Sequence, residues 1–256
     1  MDKKGFLNLF KVEDEQIVVK LWEDMELSSS IDYYISTEEF FPPNIWDILE
    51  KTNINGMRFL LKGLTNESEK KNIIILPRDY SGEEPEFQLV FFKIDGTNKF
   101  KTLEHKDFLG TIMSLGIKRE VLGDLIVKDN VAFGVIHREK FHIIRDLDKV
   151  GNLPVKISEI TEGEVPQSEF KEIQITVPSP RLDSVVGEIA NSSRQKSTTL
   201  IEEGVVMVNY VVQKSKSYEV KEGDVITVKK LGKFIFEKVL GENKKGKIKI
   251  LLKQFI

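Results

Sequence analysis

The chain has no cysteine, only three histidines and two tryptophans among 256 residues, and no apolar run longer than a strand. The missing cysteine excludes disulfides, thiolate nucleophiles and Cys-ligated zinc. His105, His137 and His142 contain no i, i+4 pair and no carboxylate cluster stands beside them at ligand spacing, so they read as structural or surface side chains. The longest apolar runs, such as Ile73-Ile74-Ile75-Leu76, fall short of the roughly 7–15 residues of a signal peptide and the about 20 of a membrane span. A soluble, cytoplasmic chain with no membrane partner is the expectation.

Catalytic signatures are equally scarce. No Gly-x-Gly-x-x-Gly marks a nucleotide fold. Ser193-x-x-Lys196 has the spacing of acyl-serine enzymes but lacks the companion Lys-Thr-Gly. Gly241-x-x-x-x-Gly246-Lys247 approaches a phosphate loop, yet Ile248 stands where Ser or Thr would hold magnesium, and a hairpin turn is the better reading. These absences predict no enzyme, no catalytic residue, no metal, no cofactor and no small-molecule substrate.

The charge that is present is unevenly spread. Residues 179–256 hold 15 Lys+Arg against 9 Asp+Glu, and residues 1–178 hold the remaining 23 against 32. A net −3 chain is therefore a −9 body followed by a +6 C-terminal third. That asymmetry suggests a polyanion partner for one end. Lys233 to Lys253 supplies 7 of the 15 cations, so a solvated lysine-rich tail accounts for the pattern equally well.

Hydrophobic rhythm divides the chain into three parts. Residues 1–71 read as a mainly helical domain, with Ile17, Val18, Leu21 and Trp22 on one stripe and a short helix after Pro42-Pro43. Residues 72–160 alternate strands and helices. Minus a first strand at Ile73–Leu76, their order is the β-α-β-β-α-β of ferredoxin-like, RRM-like folds, with a tight turn at Lys128-Asp129-Asn130. Residues 161–178 form an acidic, proline-punctuated connector whose Ile173-x-Ile175-x-Val177 could add one strand.

The C-terminal segment, 179–256, is the most informative. Leu182, Val185, Val186, Ile189 and Ala190 share one helix face, with Pro180 in the first turn. Ser192 to Gln195 has capping-box spacing and predicts a second helix that stops at Gly204. Strands follow at Val205–Val208 and Val225–Val228, the second after a turn at Val220 to Asp224. Arg181 and Arg194 then lie at two helix starts, where free N–H groups and the dipole favour phosphate. Ser193, Lys196, Asn209, Tyr210, Lys214, Lys216, Lys229 and Lys230 extend the candidate RNA surface. Spread charges of this kind suit recognition of backbone shape. In the preceding region Lys118 and Arg119 are a second candidate phosphate contact, with a surface turn holding a local ion pair slightly favoured.

Four ordered blocks carry a resemblance: Arg181-Leu182-Asp183, Ser193-Arg194-x-Lys196, Glu203-Gly204-Val205-Val206-Met207-Val208-Asn209 and Gly223-Asp224-Val225-Ile226. They resemble the S4 RNA-binding domain. Tyr210 departs from the pattern, standing where the family usually has Gly. It reads first as a packed or half-exposed ring and second as a surface for stacking a base. Upstream, His105-Lys106-Asp107-Phe108-Leu109-Gly110, Leu115-Gly116-Ile117-Lys118-Arg119-Glu120 and Gly123-Asp124-Leu125-Ile126-Val127 resemble the middle domain of YlmH-type S4 proteins, encoded in division clusters of Gram-positive bacteria.

The resemblance implies an α+β protein: a helical N-terminal domain, a ferredoxin-like middle domain and a C-terminal S4 domain with a basic extension. It also implies a monomer that binds rRNA and peptidyl-tRNA on the large ribosomal subunit in ribosome-associated quality control. Two other functions stay open at this point: an RNA-modifying enzyme anchored by its S4 domain, and a cell-division adaptor.

Overall fold

In the computed structural model, which describes residues 1–12, 14–54, 56–96, 102–167 and 169–255, the chain forms two compact units, Met1–Gln167 and Ser168–Ile256. The first unit opens with α1 (Lys3–Leu7) and α2 (Glu15–Ile31). Each starts on an aspartate whose carboxylate accepts a backbone N–H of the first turn, Asp2 from Gly5 and Asp14 from Gln16. Helix α2 buries Val18, Leu21, Trp22 and Met25 and ends on Asp32 in the left-handed region. Then come β1 (Ile35–Phe41), α3 (Pro43–Lys51), β2 (Met57–Lys62) and β3 (Lys71–Pro77).

These strands pair in the order β1-β3-β2, all antiparallel. The middle position of β3 explains its unbroken apolar run: Ile73 to Leu76 is buried on both faces. The expected boundary at residues 71/72 therefore cuts through a sheet, and residues 1–71 contribute two strands as well as helices. Period-2 alternation missed β1 because a bulge interrupts it between Ser36 and Phe40. Buried Asn72 repairs that break by donating to the carbonyls of Thr37 (2.8 Å) and Glu39 (3.0 Å).

The rest of this unit is β4 (Leu89–Asp95), α4 (His105–Ser114), β5 (Leu122–Lys128), β6 (Val131–His137), α5 (Arg138–Arg145), a small hairpin of β7 (Lys149–Val150) and β8 (Leu153–Pro154), and β9 (Lys156–Ile160). The sheet order β5-β6-β4-β9, antiparallel throughout, is the ferredoxin-like topology that the element order predicts. Phe92, Phe108, Ile112, Phe141 and Ile144 centre its core. The predicted tight turn is a two-residue loop in which Asp129 and Asn130 both take positive φ (50° and 64°). Phe40 of β1 packs with Leu89 and Val135 of the middle sheet, so the two sheets of this unit share apolar contact.

The second unit contains β10 (Phe170–Val177), α6 (Leu182–Ile189), α7 (Arg194–Glu202), β11 (Val206–Val208), β12 (Val211–Val212), β13 (Val225–Val228), β14 (Gly232–Glu242) and β15 (Ile248–Phe255). One antiparallel sheet runs β10-β15-β14-β13-β11-β12. Half of the expected connector is thus β10, paired along its whole length with β15. The lysine-rich stretch from Lys233 to Lys253 is no tail: it is the β14–β15 hairpin, closed where Asn243 accepts from the N–H groups of Lys245 and Lys247. Both helices bury their apolar stripes, Val185, Val186 and Ile201 among them, against Ile226, Phe236 and Leu252. Gly204 ends α7 at φ 73°, the left-handed position its residue type favours. Arg181 and Arg194 stand at the two helix starts, while Pro180 lies just outside α6 instead of in its first turn and Ser193, not Ser192, caps α7.

Candidate nucleic-acid interface

The N-termini of α6 and α7 converge on one carboxylate. Asp183 sits in the first turn of α6 with its side chain 2% exposed. Arg181, the residue just before that helix, donates from Nε to Oδ1 and from a terminal nitrogen to Oδ2, both at 3.2 Å. Arg194, the first residue of α7, donates from Nε to the same Oδ2 at 2.9 Å. Burial pushes the Asp183 pKa up, and the Arg181 and Arg194 guanidiniums outweigh it and hold the carboxyl below its usual range. A buried anion therefore fixes two cations side by side. The outer cation stays largely in solvent, since the Arg194 side chain is 67% exposed and that of Arg181 36%.

Backbone contacts lock the arrangement. The Ser197 hydroxyl, buried in α7, donates to the Asp183 carbonyl at 2.8 Å and ties the helices together. The N–H of Asp183 donates to the carbonyl of Lys216 (3.2 Å), which brings the 213–219 segment beside the start of α6. Ser193 Oγ accepts from the backbone N–H of Lys196, so the Ser-x-x-Lys spacing is a helix cap. One carboxylate against two guanidiniums leaves a net positive, conformationally fixed patch with planar donor forks, the form that phosphate oxygens accept.

The other candidates separate into groups. Lys196, Lys214, Lys216, Lys229 and Lys230 are exposed. Lys196 stands in the first turn of α7, and the N–H of Lys229 donates to the carbonyl of Val205, just past the C-terminal end of α7. Asn209 is an internal tie: its amide donates to Asp224 at 2.8 Å and accepts from the N–H of Val225 at 2.9 Å. Tyr210 occupies the two-residue β11–β12 turn with Lys233 over its ring.

Lys118 and Arg119 belong to the first unit, apart in the chain from the arginine pair. Lys118 is exposed. Arg119 turns inward and donates to the carbonyls of Leu122 (2.8 Å) and Gly123 (3.2 Å), with burial lowering its pKa against the pull of Asp124 and Glu120. Its donors serve the local turn, and we read it as a structural tie. Asp183 is the residue that reasoning by charge passed over. It was visible in the Arg-Leu-Asp block, but a lone acid in a basic segment carries no signal for phosphate by itself.

Comparisons with known proteins identify the domains that carry these arginines. Residues 181–226 match the family model of the S4 domain, and residues 82–164 match the model described as "Putative RNA-binding domain in YlmH". The chain thus carries, in order, the two domains by which it resembles the YlmH-type S4-domain proteins. A relative from Bacillus subtilis (strain 168), the ribosome-associated protein quality control protein P2, is 28% identical over 222 residues, spanning 85% of this chain and 86% of that protein. A solved structure, cell division protein ylmH from Streptococcus pneumoniae, is 28% identical and superposes with a TM-score of 0.49 over 60% of this chain and 95% of that one. The two domain matches support an RNA-binding role for this chain. Among the described residues no helix is long and apolar enough to cross a membrane.

Proposed function

We propose that this protein is a non-catalytic, cytoplasmic RNA-binding factor that docks as a monomer on rRNA and peptidyl-tRNA of the large ribosomal subunit during ribosome-associated quality control. The observation that carries the reading is the buried Asp183 holding Arg181 and Arg194 together at two helix N-termini. Such a patch binds phosphates by position and leaves the bases unread, which suits a folded RNA recognised by shape. The similarity to a relative named for ribosome-associated quality control supports the cellular setting. The absence of a catalytic motif in the sequence supports a binding role over an RNA-modifying one.

Sedimentation of cell lysate through a sucrose gradient tests the proposal. The wild-type chain is expected to migrate with large subunits, and the Arg181→Ala/Arg194→Ala chain to stay near the top. Wild-type protein that remains at the top even at low salt would remove the ribosome from the reading. Subunit binding that survives the double substitution would remove this surface.

A further inference from the structure

The second face of the C-terminal sheet carries a feature that the arginine site does not use. Successive residues of a strand point to opposite faces. With α6 and α7 packed on the side of Ile226, Phe236 and Leu252, the other side carries Met207, Thr227, Lys233, Lys253 and Phe255, none of them buried. On that side the Lys233 ammonium lies 5.2 Å from the Tyr210 ring centroid and 5.4 Å from that of Phe255. Phe255 in turn meets Phe170, its partner across β10 and β15, edge-on at 4.9 Å. Three part-exposed rings and one cation thus form a strip across the sheet. The β13–β14 turn beside Lys233 presents the exposed Lys229 and Lys230.

The backbone under Tyr210 is the second observation. Asn209 and Tyr210 take φ of 50° and 65° in a two-residue loop joining paired Val208 and Val211. That turn type favours Asn-Gly, and a tyrosine in the left-handed region is strained. The corresponding loop of the first unit uses Asp129 and Asn130, residues that tolerate the conformation. An aromatic ring held at a strained turn, with a lysine over it, has the form of a retained functional feature.

We infer that Tyr210, Lys233, Phe255 and Phe170 form a stacking platform for unpaired nucleobases of single-stranded RNA, with Lys229 and Lys230 attracting its phosphates. Rings stack on any base, and a neighbouring ammonium supplies charge for the backbone, which is the chemistry of strand binding without base readout. The inference rests on the RNA-binding reading above and adds contacts to bases on a different face from the arginine pair.

Two synthetic probes test it with the full chain: a hairpin RNA carrying a single-stranded 3′ extension of about eight nucleotides, and the same hairpin blunt-ended. Wild type is expected to bind the extended probe more tightly. Tyr210→Gly removes the ring and relieves the turn. It is expected to lose about tenfold in affinity for the extended probe, to bind the blunt one as wild type does, and to melt no lower than wild type. Tyr210→Phe, which keeps the ring, is expected to retain the preference. Equal wild-type affinity for both probes overturns the platform. So does a Tyr210→Gly chain that binds the extended probe normally, or one that loses both probes together with thermal stability. If wild type binds neither probe, the RNA-binding reading itself falls. Loss of both probes only in Arg181→Ala/Arg194→Ala keeps that reading and leaves the platform to be judged on Tyr210→Gly.

Discussion

Three arginines and two aspartates show how differently the two units use charge. In the first unit Arg119 faces inward onto the carbonyls of Leu122 and Gly123, and Asp24 is half-buried on α2 with Glu23 and Glu39 nearby. In the second unit Asp183 is the buried group, and Arg181 and Arg194 are held outward by it. Residue type is the same; the arrangement is inverted. An inward arginine satisfies backbone acceptors and supports a fold. An arginine tethered at its inner edge to a buried acid keeps part of its donor fork for a ligand. The comparison teaches that a basic residue becomes an anion site through the position of its nearest acceptor, which a count of lysines and arginines does not record.

The largest expected effect comes from removing the outward pair. Arg181→Ala/Arg194→Ala should weaken RNA binding by tenfold or more and lower the slope of log affinity against log salt by about two, one for each lost phosphate contact. A titration of RNA affinity across salt concentrations reads both quantities. Arg119→Ala should do the opposite: stability falls by about 1 to 3 kcal/mol as two turn carbonyls lose their donor, and RNA affinity stays within about twofold. The contrast breaks if Arg119→Ala weakens RNA binding as the pair does while its melting temperature is unchanged.

Asp183→Asn sharpens the comparison from the other side. It keeps both cations and removes the anion that fixes them. Stability is expected to drop by about 1.5 to 3 kcal/mol, the range for hydrogen bonds to charged groups, and RNA affinity to fall less than in the arginine double variant. A depressed carboxylate contributes stability above the unfolded pKa and loses it as pH falls through the folded one. The gap in melting temperature between wild type and Asp183→Asn should therefore be full at neutral pH, begin to shrink near the unfolded value of about 4, and close only as pH falls through the depressed folded value. A gap that persists into stronger acid would mean that shape, not charge, makes the contribution.

Legibility in the sequence followed local chemistry. The ferredoxin-like order, the two S4 helices and the Asp129-Asn130 turn were readable because periodicity and turn residues act over a few positions. Strand β1 was not, since its bulge breaks alternation and the compensating Asn72 lies 35 residues from Thr37. The hairpin turn at Gly241 to Lys247 was readable, but the strands on either side of it were not, because lysines mask the alternation that buries Phe234, Phe236, Ile250 and Leu252. At the site, the family blocks contain Arg181, Arg194 and Asp183, but not the fact that the one carboxylate joins the two arginines. The surroundings of Tyr210 were hidden altogether, since sheet pairing brings Lys233 to its ring and Phe255 to Lys233.

The smallest expected effect concerns Asp24, where the sign reverses relative to Asp183. Burial pushes its pKa up to about 6; Lys20 pulls it down, and Glu39 and Glu23 push it further up. A carboxyl that holds its proton more tightly when folded favours folding as the medium acidifies, so its unfavourable contribution at neutral pH disappears as pH falls from about 7 to about 4. Asp24→Asn removes the charge and should stabilise the protein at pH 7.5 by about 1 kcal/mol, a figure discounted for partial exposure and screening. At pH 4 the variant and wild type should melt together. Thermal melts at the two pH values read the difference. A variant that melts lower than wild type at pH 7.5 would show that the attraction of Lys20 outweighs burial, and Asp24 would then act as a paired carboxylate of the kind found in the C-terminal unit.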